Sequence, residues 1–189
     1  LAPSIDFKVL LFQLVKLMKD GKPYKMSKRA GTFLMLDDVL QEIDLSGLKL
    51  LMLSAKSDTT LEIDFAKAAE QSKENPIFYI QYAHARGCSC LRKIEEQFGK
   101  NEFDSKDLIS EYEFNAHEKQ LILAINNYNK VLISAAEGFE PLKIVNYLLD
   151  IAAKFHALWN LQGYYFINDE KELDNTTKVK ATLVNAVIT

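Results

Sequence analysis

Lys25-Met26-Ser27-Lys28-Arg29-Ala30-Gly31 sets two lysines three positions apart in a polar stretch that ends on glycine. A lysine ammonium is a compact charge with three donors, and glycine lets the backbone approach a ligand closely. Such a segment can fold over a polyphosphate. Positive charge held where negative charge develops on departing pyrophosphate lowers a barrier by about 3 kcal/mol per well-placed donor. Between Asp6 and Arg29 the cations Lys8, Lys16, Lys19, Lys22, Lys25, Lys28 and Arg29 face only Asp6 and Asp20, a local excess that attracts phosphate. On charge alone, a solvated basic surface reads equally well.

A second group of residues suits RNA. Phe78, Tyr79 and Tyr82 lie close to Gln81, His84 and Arg86. Aromatic faces stack on unpaired bases, amides and imidazole read base edges, and arginine holds phosphate. The plainer alternative is a core stripe with a structural histidine. Tyr79 is expected to be buried. Trp159, the single tryptophan, suits base stacking and core packing alike. No metal site is expected. His84, His117 and His156 are scattered, and Cys88 and Cys90 fall two apart on a helix, pointing to different faces.

The elements that position these groups follow from punctuation and periodicity. Val9 to Met18 reads as a strand, turned by Asp20-Gly21. The basic loop follows, and a helix opens at Asp37 or Asp38. Leu48, Leu51 and Met52 share one face of a short helix, and Asp64 caps another over Phe65 to Glu74. Asn75-Pro76 starts a helix that Gly99 stops after Phe98. Asn115 with Glu118 forms a capping box for one long helix ending near Gly138. Pro141 opens the next, ending near Gly163, and a last begins at Asn175 or Thr176. Lys100 to Glu113 and Asn168 to Thr177 are polar connectors.

With 48% hydrophobic and 26% charged residues, the 189-residue chain has the make-up of a globular protein with a buried core. Its net charge of −3 excludes a strongly basic nucleic-acid binder overall. Neither a leader nor a membrane span is visible. The first residue is not Met, which suggests a cut from a longer protein.

Lys25-Met26-Ser27-Lys28-Arg29 resembles the second signature loop of the class I aminoacyl-tRNA synthetases. Asn75-Pro76 followed by Gln81-Tyr82-Ala83-His84-Ala85-Arg86 is similar to a signature of the arginyl-tRNA synthetases, at the start of their anticodon-binding domain. Ile63-Asp64-Phe65, Ala69-Glu70-Gln71-Ser72 and Phe155-His156 spread the likeness over almost the whole chain. Arg29 stands where many class I members carry Ser, a variation the arginine enzymes resemble. The family's Asp-Ala-Leu-Arg motif would fall at Ser46-Gly47-Leu48-Lys49. Only Leu48 matches outright and Lys49 keeps the charge, so no ion pair is expected there.

The resemblance implies a mainly α protein: residues 45–189 form a helical anticodon-binding bundle, shortened at its end. Residues 1–44 form a small strand-containing remnant of a Rossmann-like class I catalytic domain. It also implies a longer ligase that joins arginine to its tRNA in the cytoplasm, using ATP with magnesium, with no role for DNA or a membrane. Lys25, Met26, Ser27, Lys28, Arg29 and Gly31 would form the ATP-phosphate loop, with Lys28 and Lys25 catalytic. Gln81, Tyr82, His84, Arg86 and Trp159 would meet the anticodon. The first class I signature, His-Ile-Gly-His in its common form, does not occur in these residues. The fragment alone is therefore expected to be inactive and to hold no tightly bound cofactor. A cysteinyl-type synthetase is the alternative within the class; the Gln81–Arg86 run and the lack of metal-ligand cysteines argue against it. A helical interaction module is the alternative outside it, and would show an exposed apolar patch and no tRNA preference.

Overall fold

A computed structural model describes residues 7–19, 21–24, 35–70, 72, 74–99, 112–167 and 173–189. Its elements run β1 (Lys16–Lys19), β2 (Lys22–Pro23), α1 (Leu36–Glu42), α2 (Leu45–Leu53), β3 (Glu62–Asp64) and α3 (Phe65–Ala68). Five longer helices follow: α4 (Pro76–Phe98), α5 (Ala116–Asn126), α6 (Tyr128–Gly138), α7 (Leu142–Trp159) and α8 (Asn175–Ile188). The chain is mainly helical with a small three-stranded sheet, as the sequence implied.

In the sheet β1 is central: β2 pairs antiparallel with it, and β3 pairs parallel, Leu17 opposite Ile63. Gly21, at φ 73°, supplies the left-handed residue that the β1–β2 turn requires. Asp64 closes the unit, accepting from the Gly21 amide at 2.8 Å and the Ala66 amide at 3.1 Å. The Gly21 bond, above all, holds the Asp64 carboxyl below its ordinary pKa.

Four expectations need correction. The strand is only Lys16–Lys19. Upstream, the backbone is held by isolated bonds such as Gln13 to the Ser57 carbonyl, and Phe7, Leu11, Phe12 and Leu14 are exposed. The first helix opens at Leu36, with Asp38 one turn in, accepting from the Met35 amide at 2.8 Å. The helix behind Asp64 stops at Ala68, because the Asn75 side-chain amide donates to the Ala68 and Glu70 carbonyls that a longer helix would have used. The long helix after Asn115 divides at Asn127, where the backbone amide tightens onto the Ala124 carbonyl and α6 starts afresh.

The bundle itself follows its local signals. Asn75 caps α4 through the Ile77 amide, Pro76 is the first helical residue, and Gly99 ends the helix at φ 82°. The Asn115–Glu118 capping box forms in both directions, at 2.9 and 2.8 Å. Pro141 precedes α7, which ends at Trp159. Asp174 caps α8 through the Thr177 amide. Ala83, Gly87, Cys90 and Ile94 make the buried stripe of α4, spaced as one helical face. They meet Phe155 and Leu158 of α7, Leu121 of α5, and Ala181 and Val184 of α8. At Gly87 a Cβ atom would lie 2.4 Å from Cγ2 of Ile188, so only glycine lets α4 and α8 approach this closely. Among the described residues, no helix is long and apolar enough to cross a membrane.

Candidate nucleic-acid interface

The helical period of α4 brings Tyr82 and Arg86 onto one face, and α7 presents Trp159 opposite. The Arg86 guanidinium carbon lies 4.2 Å from the centre of the Tyr82 ring and 5.2 Å from that of Trp159. Arg86 Nη1 is 3.2 Å from His156 Nδ1, seventy positions along the chain. Guanidinium only donates, so Nδ1 accepts and the ring proton sits on Nε2, which faces the Tyr79 carbonyl oxygen at 3.2 Å. A buried histidine thus fixes the arginine's direction. Phe78 stacks on Tyr82 at 5.5 Å between centres, and Phe155 and Phe166 back the half-buried indole of Trp159.

Tyr82, Arg86 and Trp159 open onto a cavity of about 720 Å³ that Lys93, Gln162, Tyr164 and Tyr165 also line. Its walls combine aromatic faces with two cations and two amides, the chemistry that accommodates an unpaired base and its phosphate. Lys93 and Tyr165 were not picked out from the sequence. Lys93 lies seven positions after Arg86, on the same helical face, and that spacing was the available signal.

Gln81 and His84 do not line this cavity. The Gln81 amide reaches 3.5 Å from Asp44, whose carboxyl caps α2 through Gly47 and is held below its usual pKa mainly by that bond. His84 is exposed on α4, its ring nitrogens 3.7 and 3.8 Å from the Cys88 sulfur. Tyr79 is half-buried against His156. Lys25, Met26, Ser27, Lys28, Arg29 and Gly31 lie outside the described residues. A second cavity, of about 600 Å³, lies between Phe12 and Val15 on one side and Phe139 and Leu142 on the other, away from the arginine cluster.

Residues 80–188 match the model of the DALR anticodon binding domain, and that span holds Tyr82, Arg86, His156 and Trp159. The chain belongs to the DALR anticodon-binding domain family. It is 41% identical over 186 residues to an arginine–tRNA ligase of Allorhizobium ampelinum, covering 95% of this chain and 31% of that protein. It is likewise 41% identical over 185 residues to one of Agrobacterium fabrum, with the same coverage. The chain therefore spans about a third of the length of these relatives. A solved chain from Campylobacter jejuni, assigned as an arginyl-tRNA synthetase, superposes with TM-score 0.71 at 34% identity over 94% of this chain and 37% of its own. The arginyl-tRNA synthetase of Thermus thermophilus shares the fold, with TM-score 0.68 at 22% identity over 90% of this chain and 31% of its own. The likeness to the arginine enzymes read from the sequence is borne out.

Within the DALR domain the two thiols differ sharply. Both are free, Cys88 half-buried and Cys90 buried, and burial pushes the Cys90 thiol up to about 11. Thiolate is the reactive form. At pH 8 iodoacetamide should therefore alkylate Cys88 at least roughly tenfold faster than Cys90. Peptide mass mapping over time checks this, and equal rates would contradict the packing of α4.

Proposed function

We propose that this chain is part of an arginine–tRNA ligase, in which residues 45–189 bind the anticodon region of the tRNA for arginine. Residues 1–44 belong with the catalytic domain and carry the loop at 25–31 that closes on the ATP phosphates. The carrying observation is the Tyr82–Arg86–Trp159 cluster at the mouth of a basic, aromatic cavity within the family-matched helices. In this reading the flat rings receive unpaired bases, and Arg86, aimed by His156, supplies charge for a phosphate. Gln81 and His84, exposed on α4, would touch neighbouring nucleotides.

The whole ligase would activate arginine with ATP, supplied as its magnesium complex, and pass the arginyl group to the terminal ribose of the tRNA in the cytoplasm. Lys28, supported by Lys25, would hold the departing pyrophosphate. Asp64 supports a coupling between the two parts. It ties the hairpin that leads to residues 25–31 to the start of α3, and so to the segment entering α4.

The test is binding to the tRNA for arginine and to an unrelated tRNA at about 0.15 M salt, where nonspecific attraction is screened. A preference for the arginine tRNA, lost when its anticodon is changed, is the expected result. Tyr82→Ala should weaken that binding about tenfold, the typical worth of one stacked base. Unaltered affinity and charging would remove Tyr82 from the site. An interaction module also calls for exposed apolar surface, which Phe7, Leu11, Phe12 and Leu14 supply. Equal affinity for both tRNAs favours that second reading.

A further inference from the structure

Glu118 is 1% exposed, a carboxylate in the middle of the helical core. Burying such a group costs stability unless donors surround it, and an apolar side chain of similar size would often serve a core as well or better. Three donors do surround it. The Asn115 amide reaches Oε2 at 2.8 Å, and the hydroxyls of Tyr112 and Tyr164 reach Oε1 at 2.8 and 2.7 Å. The first two come from the segment just before α5. The third comes from 46 positions away, in the connection between α7 and α8.

Residues 160–167 of that connection contain neither helix nor strand and form one wall of the cavity. Burial above all, then the bond to Glu118, holds the Tyr164 hydroxyl far above its ordinary pKa, so it stays a donor. The Tyr164 ring meets Phe166 edge-on at 5.0 Å, and Phe166 lies 5.0 Å from Trp159. A second tether runs from Lys180, whose ammonium donates to the Tyr165 carbonyl at 2.6 Å and sits 4.3 Å above the Tyr164 ring. Burial lowers the Lys180 pKa, while Glu118 and Asp174 pull it back up.

We propose that Glu118 is a positioning residue for RNA binding. Its buried carboxylate pins Tyr164, which sets the wall at 160–167 and, through Phe166, the attitude of Trp159 beside Arg86. Glu118 itself does not line the cavity and reaches it only through Tyr164. The role in binding rests on reading the cavity as an RNA site, whereas the pinning of the wall stands independently of it.

Glu118→Ala would strand three donors and endanger the fold, so the discriminating variant is Tyr164→Phe, with Tyr112→Phe as its match. Each removes one hydroxyl from the same carboxylate oxygen, but only the first belongs to the wall. Trp159, the single tryptophan of the chain, reports on the wall by its emission and by acrylamide quenching without RNA. Tyr164→Phe should shift the emission, raise the quenching, and weaken binding of an anticodon stem-loop of the arginine tRNA by about fivefold. Tyr112→Phe should leave emission, quenching and affinity near those of the unaltered chain. Equal effects of the two variants would reduce Glu118 to general stability and overturn the proposal, as would an unmoved Trp159 signal in Tyr164→Phe. A moved signal with undiminished RNA affinity would overturn the role in binding. If the unaltered chain binds no stem-loop, the RNA reading of the cavity falls, and that role with it. The quenching comparison then still decides whether Glu118 sets the wall.

Discussion

Phe155→Ala should destabilise the chain by about 3–5 kcal/mol, the range for deleting a buried aromatic ring. Phe155 has no exposed surface and sits where α4, α5, α7 and α8 converge. Its ring touches Trp159 at 5.7 Å and Phe166 at 5.8 Å between centres, so no single neighbour can collapse into the space it leaves. Against a typical total of about 5–15 kcal/mol the loss is large. It should lower the unfolding midpoint by roughly 10 °C in a chain of this size. Thermal unfolding followed by circular dichroism checks it, and a loss below about 1 kcal/mol would contradict this core. Phe155→Leu keeps most of the volume and should cost distinctly less.

The second large effect concerns the proposed ligase reaction. Lys28→Ala in the whole enzyme should slow arginyl-adenylate formation about a hundredfold, the cost of removing about 3 kcal/mol of charge stabilisation from a departing pyrophosphate. Arginine-dependent pyrophosphate exchange, run with tRNA present, measures that step. Affinity for the tRNA should stay close to that of the unaltered enzyme, because the expected contacts with the anticodon lie on α4 and α7. Lys28→Arg keeps the charge but spreads it over a planar fork, and should recover only part of the rate. If tRNA affinity fell in parallel with the rate, the substitution would have damaged folding, and the assignment of Lys28 to the phosphates would lose its support.

Much of the bundle was legible because its boundaries are written in local chemistry. Asn75, Pro76 and Gly99 bracket α4, and Asn115 with Glu118 announces α5, all within a few residues of the backbone groups they satisfy. The misreadings arose where a distant partner decides. Asp64 looks like a plain helix cap but is shared with Gly21, 43 positions earlier. The apolar run Val9–Val15 looks like strand, yet only Lys16–Lys19 finds neighbours on both sides. At the site, the wording of the motif singled out Tyr82 and Arg86 without placing them on one face. It could not show that His156 aims Arg86, or that Glu118 completes its shell with Tyr164. Gln81 and His84 share a short motif with those two but leave the helix in other directions, which the wording of a motif does not reveal.

The placement of α8 against α4 has a consequence for how the protein is made. Ala83, Gly87 and Cys90 are covered by side chains that include Ala181 and Val184. Roughly a hundred residues separate Pro76 from Val184, and a ribosome adding ~5–20 residues per second needs on the order of 5–20 s to supply them. Through that interval the part of α4's apolar face that α8 covers stays bare, a natural target for chaperones that bind nascent chains. That face closes only once α8 has left the ribosomal tunnel, so a pause or frameshift ahead of α8 would leave this side of the bundle sticky and half-built.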